Sequence, residues 1–451
     1  MLSRHDRKVV ERDRDLPSLA LLLDGDRFGD WVVERPGAPP VTGARCCYLR
    51  YKPGVRILAR YQVTFGDGSS GIAHAWGVGD RARDKVAKAA ALSPVDSPGP
   101  ASRLVSEAEG VVVDFFPVDR RIPALLDMAD PARRNRLLSR RSPRNTDEFW
   151  SDFQLHSYKP ERRFVGTLTD RAGRKLVVRG YAGGQFRTAL RGTRAFSSGQ
   201  TFRIPRLRGR SRKHRLLLTE WMPGRPLDAA AWVEMDGGSR ERLAHGIGQG
   251  LAELHAQVAS PLRKRTPERE SQGLRATARS VQAVLPKAGR HARKLSRRLK
   301  IRLQHAAREG LDHVPLHGDF HSGQLLMDER AIHRHIALVD MDRAGFGDPL
   351  RDLATFVSHL EEDALGGRIP WEAVAEVEAA LIEGYERSSH GICRRRYALQ
   401  RSIALLRLAP KPFRLREKDW PTLTSSLVQR AESMLESPTS STPQPQPGIP
   451  A

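Results

Sequence analysis

Lysine, cysteine and long apolar runs are all scarce in this 451-residue chain. Three cysteines, Cys46, Cys47 and Cys393, are too few for a disulfide framework, and the adjacent pair lacks metal-ligand spacing. Reduced thiols in a cytoplasmic protein are the expectation. No apolar run reaches the roughly 18 residues that a membrane-spanning helix needs, so no membrane partner is expected. The opening MLSRHDRKVVERDRDLPSLALLL has only a short apolar stretch and no small-residue cleavage site, unlike a signal peptide. Lysine numbers 13 against 63 arginines, and the two together give a formal net charge of +24. That charge is uneven: Asp340 to Arg387 holds 12 acidic and 4 basic residues. The densest basic stretch, KAGRHARKLSRRLKIRLQHAAREG (287–310), reads as a solvated helix packing through Leu295, Leu299, Ile301 and Leu303. It has no interleaved aromatics to stack on bases, and a nucleic-acid role is set aside.

What is present begins with a repeat. YLRYKPGVRILARYQV starts at Tyr48 and LHSYKPERRFVGTLTD at Leu155, each with Tyr-Lys-Pro and an arginine three residues after the proline, Arg56 and Arg163. Further on, GVVVDFFPVDRRIPALLD (110–127) parallels RLLLTEWMPGRPLDAAA (215–231), an apolar strand that ends in a bulky residue and a proline. Pro53 to Pro117 is 64 residues and Pro160 to Pro223 is 63. Two landmarks in register imply a duplicated β-rich unit of about 70 residues. In the second copy, RKLVVRGY (174–181) alternates as a strand, with Lys175, Val177 and Arg179 on one face. After Pro223, helical periodicity takes over, as in RERLAHGIGQGLAELHAQ (240–257), WEAVAEVEAALIEGYERS and RYALQRSIALLRLA. A hairpin, QLLMDERAIHRHIALVDMD, interrupts it. The Pro/Ser-rich tail, 436–451, is expected to be disordered.

The stretch PLHGDFHSGQLLMD (315–328) carries the chemistry. An aspartate in a loop after a strand can orient or deprotonate a hydroxyl attacking a γ-phosphate, an amide five residues on can hold a metal ion, and a second aspartate after the next strand can chelate Mg²⁺. Asp319, Gln324 and Asp340 fill these slots. The 21 residues from Asp319 to Asp340 suffice for a loop, a strand, a turn and a strand back. Such hard oxygen donors suit Mg²⁺.

With LHGDFHSGQLL, ALVDMDRAGFGDPLRDLA, LLLTEWMPGRPL and LAELHA in place, the chain resembles the aminoglycoside phosphotransferase and choline kinase superfamily over residues 150 to 435. Gln324, where the family has asparagine, and the doubled Tyr-Lys-Pro segment look closest to its maltokinase-like branch. The resemblance implies an α+β, bilobal protein-kinase-like fold. The expected division is an N-terminal domain at 1–145 that repeats the kinase N-lobe, an N-lobe at 146–222, and a helical C-lobe at 223–435. It implies Asp319 as catalytic base with His317 holding its loop, Gln324 and Asp340 as metal ligands, and Glu220, Trp221 and Met222 as a hinge facing adenine. ATP and Mg²⁺ are the implied cofactors, and the implied acceptor is a small hydroxylated molecule, sugar or aminoglycoside-like. Asp348 and Asp352 are expected to be structural.

Two departures accompany the resemblance. The strand position that the family fills with a phosphate-contacting lysine holds Arg179, with Lys175 on the same face. No acidic residue lies between Asp170 and Glu220, so the glutamate that pairs with that lysine is missing. A kinase-like binding protein without turnover therefore stands as the second reading. The acidic 340–386 block is expected on the acceptor side, where it would favour a cationic acceptor.

Overall fold

The computed structural model describes residues 2–91, 103–139, 150–259, 262–310, 313–328, 336–389 and 391–436. The expected domain boundary near residue 145 and the tail beyond residue 436 lie outside them.

The first five strands are β1 (Val41–Lys52), β2 (Arg56–Phe65), β3 (Ser70–Val78), β4 (Arg103–Ser106) and β5 (Val111–Phe115), paired antiparallel in the order β1-β2-β3-β5-β4. All five residues of β5 are buried, because helices cover both faces of the sheet. On one face Leu22, Phe28 and Val32, from helices Leu19–Leu23 and Gly25–Val33, pack on Tyr61 and Val113. On the other, Val86 and Ala89 of helix Asp84–Ala91 meet Leu58, Trp76 and Val112. Asp24 caps helix Gly25–Val33 by accepting from the N–H groups of Asp26 and Arg27 at 3.1 and 3.3 Å, satisfying donors that a helix start leaves open.

The second sheet uses β6 (Trp150–Lys159), β7 (Arg163–Asp170), β8 (Lys175–Tyr181), β10 (Leu207–Ser211) and β11 (Leu216–Glu220), with the short β9 (Phe202–Arg203) between β8 and β10 in sequence. Its order, β6-β7-β8-β11-β10, is that of the first sheet strand for strand. One face packs on helices Ala124–Ala129 and Pro131–Ser139 through Leu125, Met128, Leu168 and Val178. The other receives Phe186 and Ala189 of helix Gln185–Ala195.

Helices then dominate, with β12 (Arg225–Pro226), β13 (Val314–Leu316), β14 (Leu325–Met327), β15 (Ile336–Leu338) and β16 (Gly345–Gly347) as short ribbons among them. β14 and β15 form the expected hairpin, and β9 joins β15 in parallel. One core centres on Trp232, Leu251, Phe320, Leu353 and Phe356. A second joins helices Pro267–Val284, Pro286–Arg308, Arg394–Leu408 and Trp420–Glu436. The α+β, two-lobed arrangement is the expected one. One packing position needs correction: Leu295, Leu299 and Leu303 are buried, but Ile301 is 66% exposed. The leucines recur every four residues, and a residue two places from either neighbour points to the opposite side of a helix.

The first sheet is fastened to both lobes. Arg56 and Arg120 hold the buried Glu161 carboxylate at 2.7 and 2.9 Å, and Asp119 accepts from the Glu161 N–H at 2.8 Å. At the far side Arg416 forks onto Asp6 at 3.0 and 2.8 Å, while Phe413 and Trp420 join the first sheet's core.

Candidate active site

β13 delivers the chain into His317-Gly318-Asp319. Gly318 has φ +80°, and a Cβ there would stand 2.2 Å from the Arg343 carbonyl, so only glycine fits the turn. The turn is fixed from beneath by Asp352, which accepts from the N–H groups of His317 and Gly318 at 2.7 and 2.9 Å and faces His255 Nε2 at 3.4 Å. Burial alone would raise the Asp352 carboxyl; His255, His317 and the Gly318 N–H hold it below the usual range instead. The His317 ring donates from Nε2 to the Val339 carbonyl at 2.9 Å, tying the loop to the end of the hairpin. Asp348 accepts from Arg396 and Gln400 at 2.9 and 3.0 Å. His317 and Asp352 thus brace the loop, and Asp348 is tied to helix Arg394–Leu408.

Asp319 stands above this platform with its side chain 28% exposed, and Arg343 Nη1 touches its Oδ1 at 3.1 Å. Asp340 follows β15 in the left-handed region at φ +65°, a conformation that aspartate tolerates better than most residues. Gln324 Nε2 lies 3.4 Å from Asp340 Oδ2, so the hairpin brings these two together as expected.

A third partner was not expected. Arg163, at the start of β7, forks onto both Asp340 oxygens at 3.0 and 2.8 Å and reaches Asp342 Oδ2 at 2.5 Å. Burial alone would raise the Asp340 carboxyl; the guanidinium reverses this and holds it far below the usual range. Asp342, buried beside the charged Asp340, is pushed up. The signals available were the arginine after Tyr-Lys-Pro and the second aspartate of DMD, but neither indicated that the two meet.

Arg179 does not stand alone on its strand either. It is 8% exposed and points to Asp342 Oδ1 and Thr193 Oγ1, both at 3.3 Å, while Tyr181 donates to the same Asp342 oxygen at 2.9 Å. Helix Gln185–Ala195 supplies no acid, and Asp342 supplies the counter-charge from the other lobe. That helix lies close to the Met341–Arg343 turn: a Cβ on Gly192 would stand 1.9 Å from the Met341 carbonyl. Lys175 sits at the exposed start of β8, with Nζ 5.0 Å from the Trp221 ring centre. Glu220 accepts from the Arg206 N–H at 3.1 Å and pairs with Arg208.

The model of the phosphotransferase enzyme family matches residues 161–399, more than half of the chain. This chain belongs to that family. Its lobes are accordingly those of a kinase-like small-molecule phosphotransferase. Solved structures of similar fold include choline kinase from Cryptosporidium parvum Iowa II, at 10% identity over 68% of this chain and 96% of that one, with a TM-score of 0.48. Another is a macrolide 2'-phosphotransferase from Brachybacterium faecium, at 17% identity over 66% and 98%, with a TM-score of 0.41. A third is the GDP complex of an aminoglycoside 2'-phosphotransferase mutant, at 14% identity over 67% and 98%, with a TM-score of 0.45. No curated protein sequence matches the chain.

Two cavities bear on the phosphotransferase's site residues. The larger, about 1070 Å³, is lined by Lys175, Glu220, Trp221 and Met222, but not by Arg179, Asp319 or Asp340. The other, about 790 Å³, contains Gly318 and Asp319 and extends over helices Leu350–Leu365 and Arg394–Leu408. Seven Lys or Arg side chains line it against three carboxylates, so the acidic 340–386 block does not make this cavity acidic. Much of the acidic block is turned inward. Glu361 is fully buried against Arg401 and Arg430 at 2.8 and 2.6 Å, Glu362 pairs with Lys411 at 2.6 Å, and Glu378 pairs with Arg401.

Proposed function

We propose that this phosphotransferase moves the γ-phosphate of ATP onto a hydroxyl of a small sugar-like acceptor. The observation that carries the reading is the pairing of an accessible Asp319, on a loop gripped by Asp352, with Asp340 and Gln324 at the end of the adjoining hairpin. In this reading the Asp319 carboxylate orients the acceptor hydroxyl and receives its proton. Arg343, touching one Asp319 oxygen, leaves the other for that hydroxyl. His317 and Asp352 keep the loop in register. Asp340 and Gln324 offer hard oxygen donors that fit Mg²⁺ once Arg163 gives way, and they would hold it. The ion, when bound, offsets the charge of the phosphates. Lys175, Glu220, Trp221 and Met222 are proposed for the nucleoside end and Arg179 for the phosphate end. The free thiols of Cys46, Cys47 and Cys393 support a cytoplasmic setting.

We read residues 1–145 as a degenerate N-lobe repeat without a nucleotide site of its own, supported by its matching strand order. The deciding experiment is a phosphoryl-transfer screen with Mg²⁺-ATP over sugars and aminocyclitols. Transfer by the parent protein and its loss in Asp319→Asn is the expected result, and transfer that survives in Asp319→Asn would overturn the role of the base. The fork of Arg163 on Asp340 favours the second reading, a binding protein without turnover. Nucleotide binding with no transfer across the whole screen would select it.

A further inference from the structure

The cavity beside Asp319 combines features that a neutral acceptor does not explain. Lys159, at the end of β6, is half-buried on its wall, and Arg414 stands on its rim. Among the described residues neither has a carboxylate within 4.0 Å, although most of the cavity's other cations do. Arg343 touches Asp319, Lys411 touches Glu362, and Arg351 and Arg407 share Glu270. That sharing leaves one positive charge uncancelled on the wall formed by helices Leu350–Leu365 and Arg394–Leu408. Burial, with Arg163, Arg162 and Arg343 nearby and only Asp340 opposing them, brings the Lys159 ammonium down to about 8. Like charges held together with no carboxylate in contact attract an anion.

We propose that the acceptor is an anionic sugar, a small polyhydroxylated molecule carrying a phosphate or carboxylate, whose acidic group lies between Lys159 and Arg414 while a hydroxyl faces Asp319. The proposal rests on the kinase reading for its hydroxyl and on the cavity's own charge for its anion. A cationic acceptor would meet the same seven basic side chains with only three carboxylates to receive it. The anion site is assigned to the acceptor because Asp319 lines the cavity while Asp340 and Gln324 do not.

The test uses the full chain and calorimetric binding of glucose 6-phosphate, gluconate and glucose, with a non-hydrolysable ATP analogue titrated in parallel. Glucose 6-phosphate or gluconate should bind at least ten-fold more tightly than glucose, and added sodium chloride should weaken the binding. The first of these would assign a phosphate, the second a carboxylate. The double variant Lys159→Gln, Arg414→Gln should lose ten-fold or more of that affinity with the nucleotide analogue unaffected. The charge-keeping pair Lys159→Arg, Arg414→Lys should recover it, which excludes misfolding as the cause. Anion binding without any phosphoryl transfer would uphold this inference while defeating the kinase reading. Transfer to glucose that is unchanged in the double variant would do the reverse. Tighter binding of glucose, or a double variant that loses the nucleotide analogue and keeps the sugars, would overturn the anionic acceptor.

Discussion

Asp319 and Asp340 lie at the two ends of one hairpin and meet different environments. Asp319 is open to a cavity with one arginine at its side, whereas Asp340 is enclosed by a guanidinium on both oxygens. Replacing Asp319 by asparagine keeps the shape and removes the proposed base. Turnover should fall by about 10² or more, on the scale of general-base catalysis, with nucleotide affinity retained in a binding titration. Arg163 is the more revealing position. Arg163→Gln leaves Asp340 and Asp342 facing each other without their shared cation, and breaking such a pair costs about 3–5 kcal/mol when it is well buried. These side chains are 13 to 20% exposed, so a smaller loss is expected. The variant should melt lower than the parent in chelator and recover more than the parent when Mg²⁺ is added. Equal responses to Mg²⁺ would mean that the guanidinium does not hold the place the ion needs.

The β6–β7 turn joins the first sheet, through Glu161, to the strand that carries Arg163. Glu161 occupies it at φ +56°, with its carboxylate locked by Arg56 and Arg120. Burial would raise that carboxyl, but the two arginines bring it down to about 2 from an ordinary 4.5. A depressed carboxylate stabilises the fold above its unfolded pKa, and that stability is lost as pH falls through the folded value. On the order of 3 kcal/mol should therefore disappear between pH 4.5 and 2. Thermal melts in that window should show a shallower pH slope for Glu161→Gln than for the parent. Helix Gln185–Ala195 has a comparable contact. Gly192→Ala should displace the Met341–Arg343 turn, lowering both the melting temperature and Mg²⁺-dependent nucleotide affinity. A variant that melts lower but binds nucleotide as the parent does would separate that helix from the site.

Elements of this kind were legible in the sequence where their periodicity is local. β8, the hairpin and the long helices follow from alternation and four-residue spacing, and the candidate trio Asp319, Gln324 and Asp340 from their order along one loop. Arg163 was not legible, because its partner lies 177 residues away and the encounter depends on how the lobes close. The sign of the cavity beside Asp319 was missed for a similar reason. Composition counts Glu361, Glu362 and Glu378 as acidic surface, while packing turns them onto Arg401, Arg430 and Lys411.

At the scale of the whole molecule, two sheets of one strand order serve different ends. Among the described residues the first has no catalytic loop after its last strand, and β3 holds no lysine or arginine, so titration with a non-hydrolysable ATP analogue and Mg²⁺ should give one site per chain. Asp340→Ala should abolish it, and two equivalents with one surviving would assign a ligand to the first sheet. That sheet also spans the two lobes, held at Glu161 on one side and by Arg416 on Asp6 at the other. Disconnecting the second fastening, in Asp6→Asn with Arg416→Gln, should speed the release of a fluorescent nucleotide measured by stopped flow. An unchanged release rate would leave the sheet with no part in it. The molecule is, in mechanical terms, a hinge with a crossbar. Both jaws are fastened to a third member, so any motion that parts them must also load the Glu161 cluster or the Arg416–Asp6 fork.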